Sequence, residues 1–119
     1  MNVEEIREYC LSLKGVTEGF PFGENTLVFK VMGKMFLACN IEWNPVGFNV
    51  KCEPEKAIEL REEYSGVNPG YHMNKQHWNT IVFDGSFTDD QGRAWIMDSY
   101  NLIVASLPRK LKTELEQLT

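Results

Sequence analysis

Residues 26–43 constrain the fold most, because two runs rich in β-branched and aromatic residues, TLVFKVM and MFLACNIEW, flank Gly33-Lys34. Two such runs around a two-residue turn signal predict a tight antiparallel hairpin. A turn at Gly33-Lys34 would set Met32 opposite Met35. Both faces of the hairpin carry apolar residues, which leaves one apolar face available for a partner.

Hydrophobic periodicity predicts the other elements. Helices are expected at residues 3–13, 53–64 and 89–107, strands at 48–52 and 77–84, and an amphipathic tail after Pro108. The expected contact stripe of the helix at 53–64 is Ala57, Ile58, Leu60, Arg61 and Tyr64. The resulting order is α-β-β-β-α-β-α. Hairpin-linked strands with separate helices predict a single α+β domain, residues 1–119, with an antiparallel sheet and helices packed on one side.

Composition narrows the class of protein. The net charge is −5 and the isoelectric point is near 5.0, which taken as a whole argues against nucleic-acid binding. Three scattered cysteines without CxxC spacing fit a reducing compartment. No signal sequence is recognised, and the longest apolar stretches are too short to span a bilayer. A cytoplasmic location without membrane association is therefore expected.

The charge is distributed unevenly along the chain. Residues 27–52 carry Lys30, Lys34 and Lys51 against Glu42, whereas the predicted helices carry most of the acidic residues. If the helices pack on one side of the sheet, the opposite side is a mildly basic contact surface. The alternative is that the acidic helix faces are simply solvated and that the strand lysines protect sheet edges.

Residues 70–80, GYHMNKQHWNT, concentrate groups that could carry chemistry. His72 and His77 would supply only half of a zinc ligand set, and no cysteine pair completes it, so neither a metal nor a cofactor is expected. Either histidine could act as a general acid or base, but no nucleophile or carboxylate pair accompanies them. Alternatively, the segment is a turn after Pro69-Gly70 whose polar side chains satisfy loop backbone groups.

Four segments of the chain form a recognisable pattern; in order, they are FPFGENTLVFKVMGKMF, NVKCEPEKAIELREEY, GVNPGYHMNKQHWNT and SYNLIVASLPRK. Together they resemble the MmcQ/YjbR-like family of small bacterial proteins. The resemblance implies an α+β domain with an antiparallel sheet, likened to a double-wing DNA-binding motif and to secretion-chaperone architecture. It also implies DNA binding, the label that members commonly carry.

The leading expectation is a non-enzymatic protein that binds double-stranded DNA weakly and in a salt-dependent way. Phosphates would meet four lysines, with a slope of log K against log salt of about −3 to −4. The expected contact residues are Lys30, Lys34, Lys51, Tyr71, His72, Asn74, Lys75, His77 and Asn79. The alternatives are a protein-interaction module, either a homodimer or a partner complex through the sheet face, and a small enzyme that uses His72 or His77.

Overall fold

The computed structural model describes residues 1–118. Its elements in chain order are α1 Val3–Ser12, β1 Val16–Gly19, β2 Thr26–Val31, β3 Lys34–Asn40, β4 Gly47–Lys51, α2 Pro54–Glu63, β5 Val67–Pro69, β6 Trp78–Val82, α3 Asp89–Ser106 and α4 Arg109–Gln117. The strands form one antiparallel sheet in the order β1-β2-β3-β4-β6-β5. The α+β class with an antiparallel sheet is confirmed.

Two strands, β1 and β5, are absent from the predicted order of elements. Both lie at the edges of the sheet, where they pair with β2 and β6 respectively. Each is only three or four residues long and contains a glycine or a proline, so neither shows the alternation by which longer strands are recognised. The predicted strands form the interior of the sheet, and these two short segments complete it.

The hairpin turn lies one residue earlier than predicted. Val31 pairs with Lys34, so the turn residues are Met32 and Gly33, with φ of 49° and 85°. Positive φ at both central residues is what a type I′ hairpin turn requires. A β-bulge follows in β3: Phe29 pairs with Leu37 and Lys30 with Met35, so the intervening Phe36 has no partner across the ladder.

The core lies between the sheet and the helices. Residues from all four helices join one cluster with alternate strand residues, so the helices pack on one side, as predicted. The largest fully buried side chains are Phe29, Phe36, Phe48, Ile6, Leu37, Ile81 and Ile96. The bulge lets Phe36 enter this core beside Leu37, where its ring meets Tyr100 edge to face at 5.5 Å. The predicted contact stripe of α2 is wrong at Ile58, which is 53% exposed.

Ser99 of α3 bridges the two central strands beside the bulge. Its hydroxyl donates to the carbonyl of Phe36 at 2.5 Å and accepts from the backbone N–H of Lys51 at 2.8 Å. β3 and β4 pair directly only at Leu37–Val50 and Ala38–Asn49, so the serine satisfies backbone groups that the ladder leaves unpaired. Helix α3 is thereby fixed to the sheet by a buried polar contact as well as by packing.

The start of α3 is well defined. Thr88 and Gln91 form a reciprocal capping box, and Gly92 sits directly behind it. A Cβ on Gly92 would lie 2.7 Å from Cζ of Phe83. The glycine therefore costs some helix propensity, but it allows the helix to approach an aromatic ring of the segment after β6.

Candidate functional site

The side of the sheet opposite the helices has a different composition. We call it the helix-free face and define it by strand positions that register places together. They are Thr26, Lys30, Met35, Asn40, Lys51, Trp78 and the transverse row Gly19, Val28, Ala38, Asn49, Thr80 and Asn68. Among residues 1–118, no helix covers this face. Loops at 20–25, 41–46 and 70–77 fold over parts of it instead.

These loops form a cleft of about 340 Å³ on the helix-free face. Its lining combines strand residues with aromatic and apolar side chains from the three loops: Phe22, Thr26, Met35, Ala38, Asn40, Trp43, Asn49, Tyr71, His72 and Met73. The volume lies in the range of small-molecule sites, roughly 300–1,000 Å³. Ala38 is the smallest of the strand side chains in this lining, so it takes up the least space there.

Two asparagine amides lie in the lining with their oxygens already engaged. The Asn49 Oδ1 accepts from the Thr80 hydroxyl at 2.5 Å, and that hydroxyl accepts from the backbone N–H of Tyr71 at 2.8 Å. The Asn40 Oδ1 accepts from the backbone N–H of Glu42 at 3.0 Å. Within residues 1–118 neither amide nitrogen donates to the protein, so the two NH₂ groups are donors available to a ligand.

Exposed aromatic rings form the rim of the cleft. Phe22 is 69% exposed and Tyr71 is 59% exposed, although both are large apolar groups. Tyr71 contacts Trp43 with ring centroids 6.4 Å apart and His72 with centroids 4.1 Å apart. His72 adopts φ of 58°, a left-handed conformation that is uncommon outside glycine. The loop thus accepts a costly backbone geometry where it places the His72 ring beside Tyr71.

The charged strand residues separate by face. Lys30 and Lys51 lie on the helix-free face, in register with Thr17 and Trp78. Glu18, the acidic residue within the strands, pairs with Phe29 in the sheet and binds Arg7 of α1, so it belongs to the helix side. This ion pair raises the pKa of Arg7 and lowers the pKa of Glu18 through their hydrogen bond. The strands therefore present basic side chains to the helix-free face.

Four of the predicted site residues lie on this face or at its cleft, namely Lys30, Lys51, Tyr71 and His72. Lys34 does not join them. It pairs with the buried Val31, and its ammonium lies 3.4 Å from the hydroxyl of Ser106 at the end of α3. The turn places Lys34 on the helix side, so the prediction of one surface for all the strand lysines is wrong at this residue.

The prediction is also wrong at Asn79, which was expected on the contact surface. It is fully buried on the helix side, where its Oδ1 accepts from Arg61 Nε at 2.7 Å and its Nδ2 donates to the carbonyl of Ala57 at 3.4 Å. Arg61 also donates to the carbonyls of Lys75 and Trp78. The asparagine therefore holds α2 to β6, and it cannot contact an external ligand.

The other three predicted residues organise their own loop. The Asn74 Oδ1 accepts from the backbone N–H groups of Gln76 and His77, an Asx-type turn. Lys75 directs its ammonium to the carbonyl of Gly70 at 3.0 Å. His77 precedes Trp78 and does not line the cleft, so the two histidines do not share one pocket. The turn interpretation explains Asn74, and the loop as a whole presents Tyr71 and His72.

Sequence reasoning missed several of the residues that form the cleft. Phe22, Asn40, Trp43 and Asn49 line it, but they come from segments far from 70–80. Alternation already placed Asn49 on the strand face with Lys51, which was a usable signal. No local sequence pattern predicts that three loops distant in the chain meet at one cleft.

The three cysteines lie in the buried core. Burial raises the pKa of Cys39 to about 11 and raises the pKa of Cys10 further, while the pKa of Cys52 also rises through burial. These groups are therefore neutral thiols near pH 7, not thiolates. Among residues 1–118, no cluster of three or more histidine, cysteine or acidic side chains has a geometry that could hold a metal ion. In that same part of the chain, no helix is both long and apolar enough to cross a membrane.

Comparison with known proteins gives a consistent assignment. The sequence model described as YjbR matches residues 11–102. Uncharacterized protein YbdF of Escherichia coli O157:H7 is 35% identical over 108 residues, which cover 90% of this chain and 88% of YbdF. Uncharacterized protein YjbR of E. coli K12 is 31% identical over 118 residues, covering 99% and 100% respectively.

Solved structures agree with these sequence relatives. The crystal structure of Deinococcus radiodurans protein DR2400, a DUF419-domain protein, superposes with a TM-score of 0.90 at 32% identity and covers 97% of this chain and 88% of that one. A crystal structure of a protein from Pseudomonas syringae shares the fold, with a TM-score of 0.73 at 24% identity and coverage of 86% and 98%. On the family match and the two long alignments, the chain belongs to the YjbR family.

Proposed function

We propose that this chain is a non-enzymatic DNA-binding protein that contacts its ligand through the helix-free face. The observation that carries the proposal is the separation of charge across the sheet. Lys30 and Lys51 project from the strands on the helix-free side, whereas most acidic residues lie in the four helices on the other side. The two lysines attract a polyanion to this face of a protein whose net charge is −5, and Glu24 and Glu42 of the covering loops are the opposing charges.

Phosphate contacts on this face are fewer than the sequence suggested. Lys34 lies on the helix side and Lys75 is engaged with Gly70, which leaves Lys30 and Lys51 as the strand-borne cations. Two phosphate contacts give a slope of log K against log salt of about −2 on duplex DNA, in place of −3 to −4. Binding is expected to be weak and to depend on groups other than lysine for much of its affinity.

Charge reversal tests the proposal directly. The double variant Lys30→Glu with Lys51→Glu is compared with wild type by fluorescence anisotropy of labelled oligonucleotides at low salt. The expected result is loss of most binding, since two attractions become repulsions. The matched control is Lys34→Glu with Lys110→Glu, which changes the net charge equally but on the helix side.

Equal loss in both double variants would mean that net charge, not this face, governs binding. Absence of wild-type binding at the lowest salt, to single-stranded and duplex DNA alike, would refute DNA binding. Circular dichroism of all three proteins checks that the folds are unchanged.

A second candidate function uses the same face to bind protein. Phe22 and Tyr71 line one cleft and are 69% and 59% exposed, and exposed apolar rings that lie together are typical of interaction surfaces. A homodimer formed through this face would bury them. Light scattering of wild type and of Phe22→Ala separates the candidates: a dimer that Phe22→Ala converts to a monomer supports this function, and a strict monomer contradicts the homodimer.

A further inference from the structure

We infer that the cleft on the helix-free face binds an unpaired nucleobase of a single-stranded nucleic acid. This inference rests on the proposed function and assigns its ligand class, because the features of the cleft match a single base better than they match a duplex. The cleft has about 340 Å³, space for one planar group with part of its sugar.

The rim of the cleft suits a flat ring. Phe22, Trp43 and Tyr71 line it from three separate loops, and the first and third of these are more than half exposed. Aromatic side chains held open to solvent are the platforms on which single-stranded nucleic-acid binders stack bases. The faces of a base within a duplex are already covered by its neighbours, so only an unstacked base offers them.

The amides of the cleft select for a polar ring. Asn40 and Asn49 have their oxygens bound within the chain, and their NH₂ groups remain as donors. Register makes the two residues diagonal neighbours across β3 and β4, roughly 7–8 Å apart. A hydrocarbon side chain in the cleft would leave both donors unpaired, at a cost in affinity. A base supplies carbonyl oxygens and ring nitrogens as acceptors.

Cations flank the cleft along the strands. Lys30 pairs with Met35, which lines the cleft, and Lys51 is two residues beyond Asn49 on the same side of β4. Neighbouring phosphates of a strand whose base occupies the cleft would pass near these ammonium groups. His72, held beside Tyr71, adds a hydrogen-bonding ring at the mouth.

The test compares four probes by anisotropy and by competition: a labelled single-stranded 12-mer, the same 12-mer as a duplex, a 12-mer with abasic sites in place of the bases, and a free mononucleotide. The single strand is expected to bind at least about ten-fold more tightly than the abasic strand and than the duplex, since base stacking supplies much of the affinity. The free mononucleotide is expected to compete weakly, because it lacks the flanking phosphates.

Variants then locate the site. Tyr71→Ala is expected to weaken single-strand binding by about ten-fold, and Tyr71→Phe to retain it, because the ring stacks and the hydroxyl does not. Ala38→Leu fills the cleft from its floor and should weaken binding comparably. The control is Ile58→Ala, an exposed position on α2 away from the cleft.

Equal binding of the abasic and normal strands, preference for the duplex, or wild-type affinity in Tyr71→Ala and Ala38→Leu would overturn the inference. The proposed function would stand in each case if Lys30→Glu with Lys51→Glu still abolished binding. A mononucleotide that binds as tightly as the strand would overturn the assignment to a nucleic-acid strand.

Discussion

Two adjacent rows of paired residues run across the sheet. Each strand contributes one residue to the first row and the neighbouring residue to the second. One row is Glu18, Phe29, Leu37, Val50, Asn79 and Pro69 on the helix side. The other is Gly19, Val28, Ala38, Asn49, Thr80 and Asn68 on the helix-free face. The first is centred on large apolar side chains under helices, whereas the second has small and polar side chains under loops.

The difference shows how one backbone serves two purposes. On the helix side, continuous apolar burial stabilises the domain, at roughly 25 cal/mol for each Å² of apolar surface removed from water. On the helix-free face, small residues such as Ala38 leave a cleft, and polar residues such as Asn49 keep donors free at its lining. The second face contributes less apolar burial because half of its row is polar, namely Asn49, Thr80 and Asn68.

The largest contrast is expected between two phenylalanines. Phe36→Ala removes a fully buried ring and leaves a cavity in the core, so the free energy of unfolding should fall by about 3–5 kcal/mol. Phe22→Ala truncates a ring that is 69% exposed, and the change should be below about 0.5 kcal/mol. Urea denaturation measures both variants. Similar losses in the two would show that loop 20–25 contributes to the core and would remove the distinction between the faces.

The buried thiols give a pH-dependent contrast of intermediate size. Burial raises the pKa of Cys39 from its ordinary value near 9 to about 11, so the folded state favours the neutral thiol. Stability is full below about pH 9 and falls as pH rises toward 11, because the unfolded chain loses this proton first; the loss is at most about 2–3 kcal/mol. Urea midpoints between pH 7 and 11 should decline more steeply in wild type than in Cys39→Ala. If the urea midpoints of the two proteins fell equally with pH, the loss of stability at alkaline pH would come from groups other than Cys39.

The smallest contrast in stability is expected between two substitutions of Thr80, which also bear on ligand binding at the cleft. Thr80→Val removes the hydroxyl that joins the Asn49 amide to the backbone N–H of Tyr71, at a cost of about 1–2 kcal/mol. With its oxygen released, the Asn49 amide can rotate, and single-strand affinity should fall several-fold. Thr80→Ser keeps the hydroxyl and should keep the affinity. Anisotropy measures the affinity that depends on the orientation of the Asn49 amide, and urea denaturation measures the stability of the fold. Together they show which of the two the substitution changes.

The strand interior could be predicted from sequence because alternation follows directly from strand geometry. It placed Phe48 and Val50 on one face and Asn49 and Lys51 on the other, as the structure has them. Asn79 shows the limit of this reasoning. Alternation grouped it with Ile81, a core residue, but its polar side chain suggested a surface.

The missing information about Asn79 was its partner. Arg61 lies 18 residues earlier in the chain, on a helix whose docking decides whether the amide can be buried with its hydrogen bonds satisfied. The cleft was unpredictable for the same reason. Its lining is brought together from loops 20–25, 41–46 and 70–77, and contacts between distant loops leave no periodic signature.

The Ser99 bridge also bears on the order in which the molecule folds. The two backbone groups that it joins belong to residues 63 and 48 positions earlier in the chain. Hydrogen bonding at the junction of β3 and β4 is therefore complete only after α3 has formed and docked. Contacts of such long sequence separation close late and slow the folding reaction. On a ribosome, the hairpin of β2 and β3 can pair early, while its junction with β4 stays incomplete until the last third of the chain emerges.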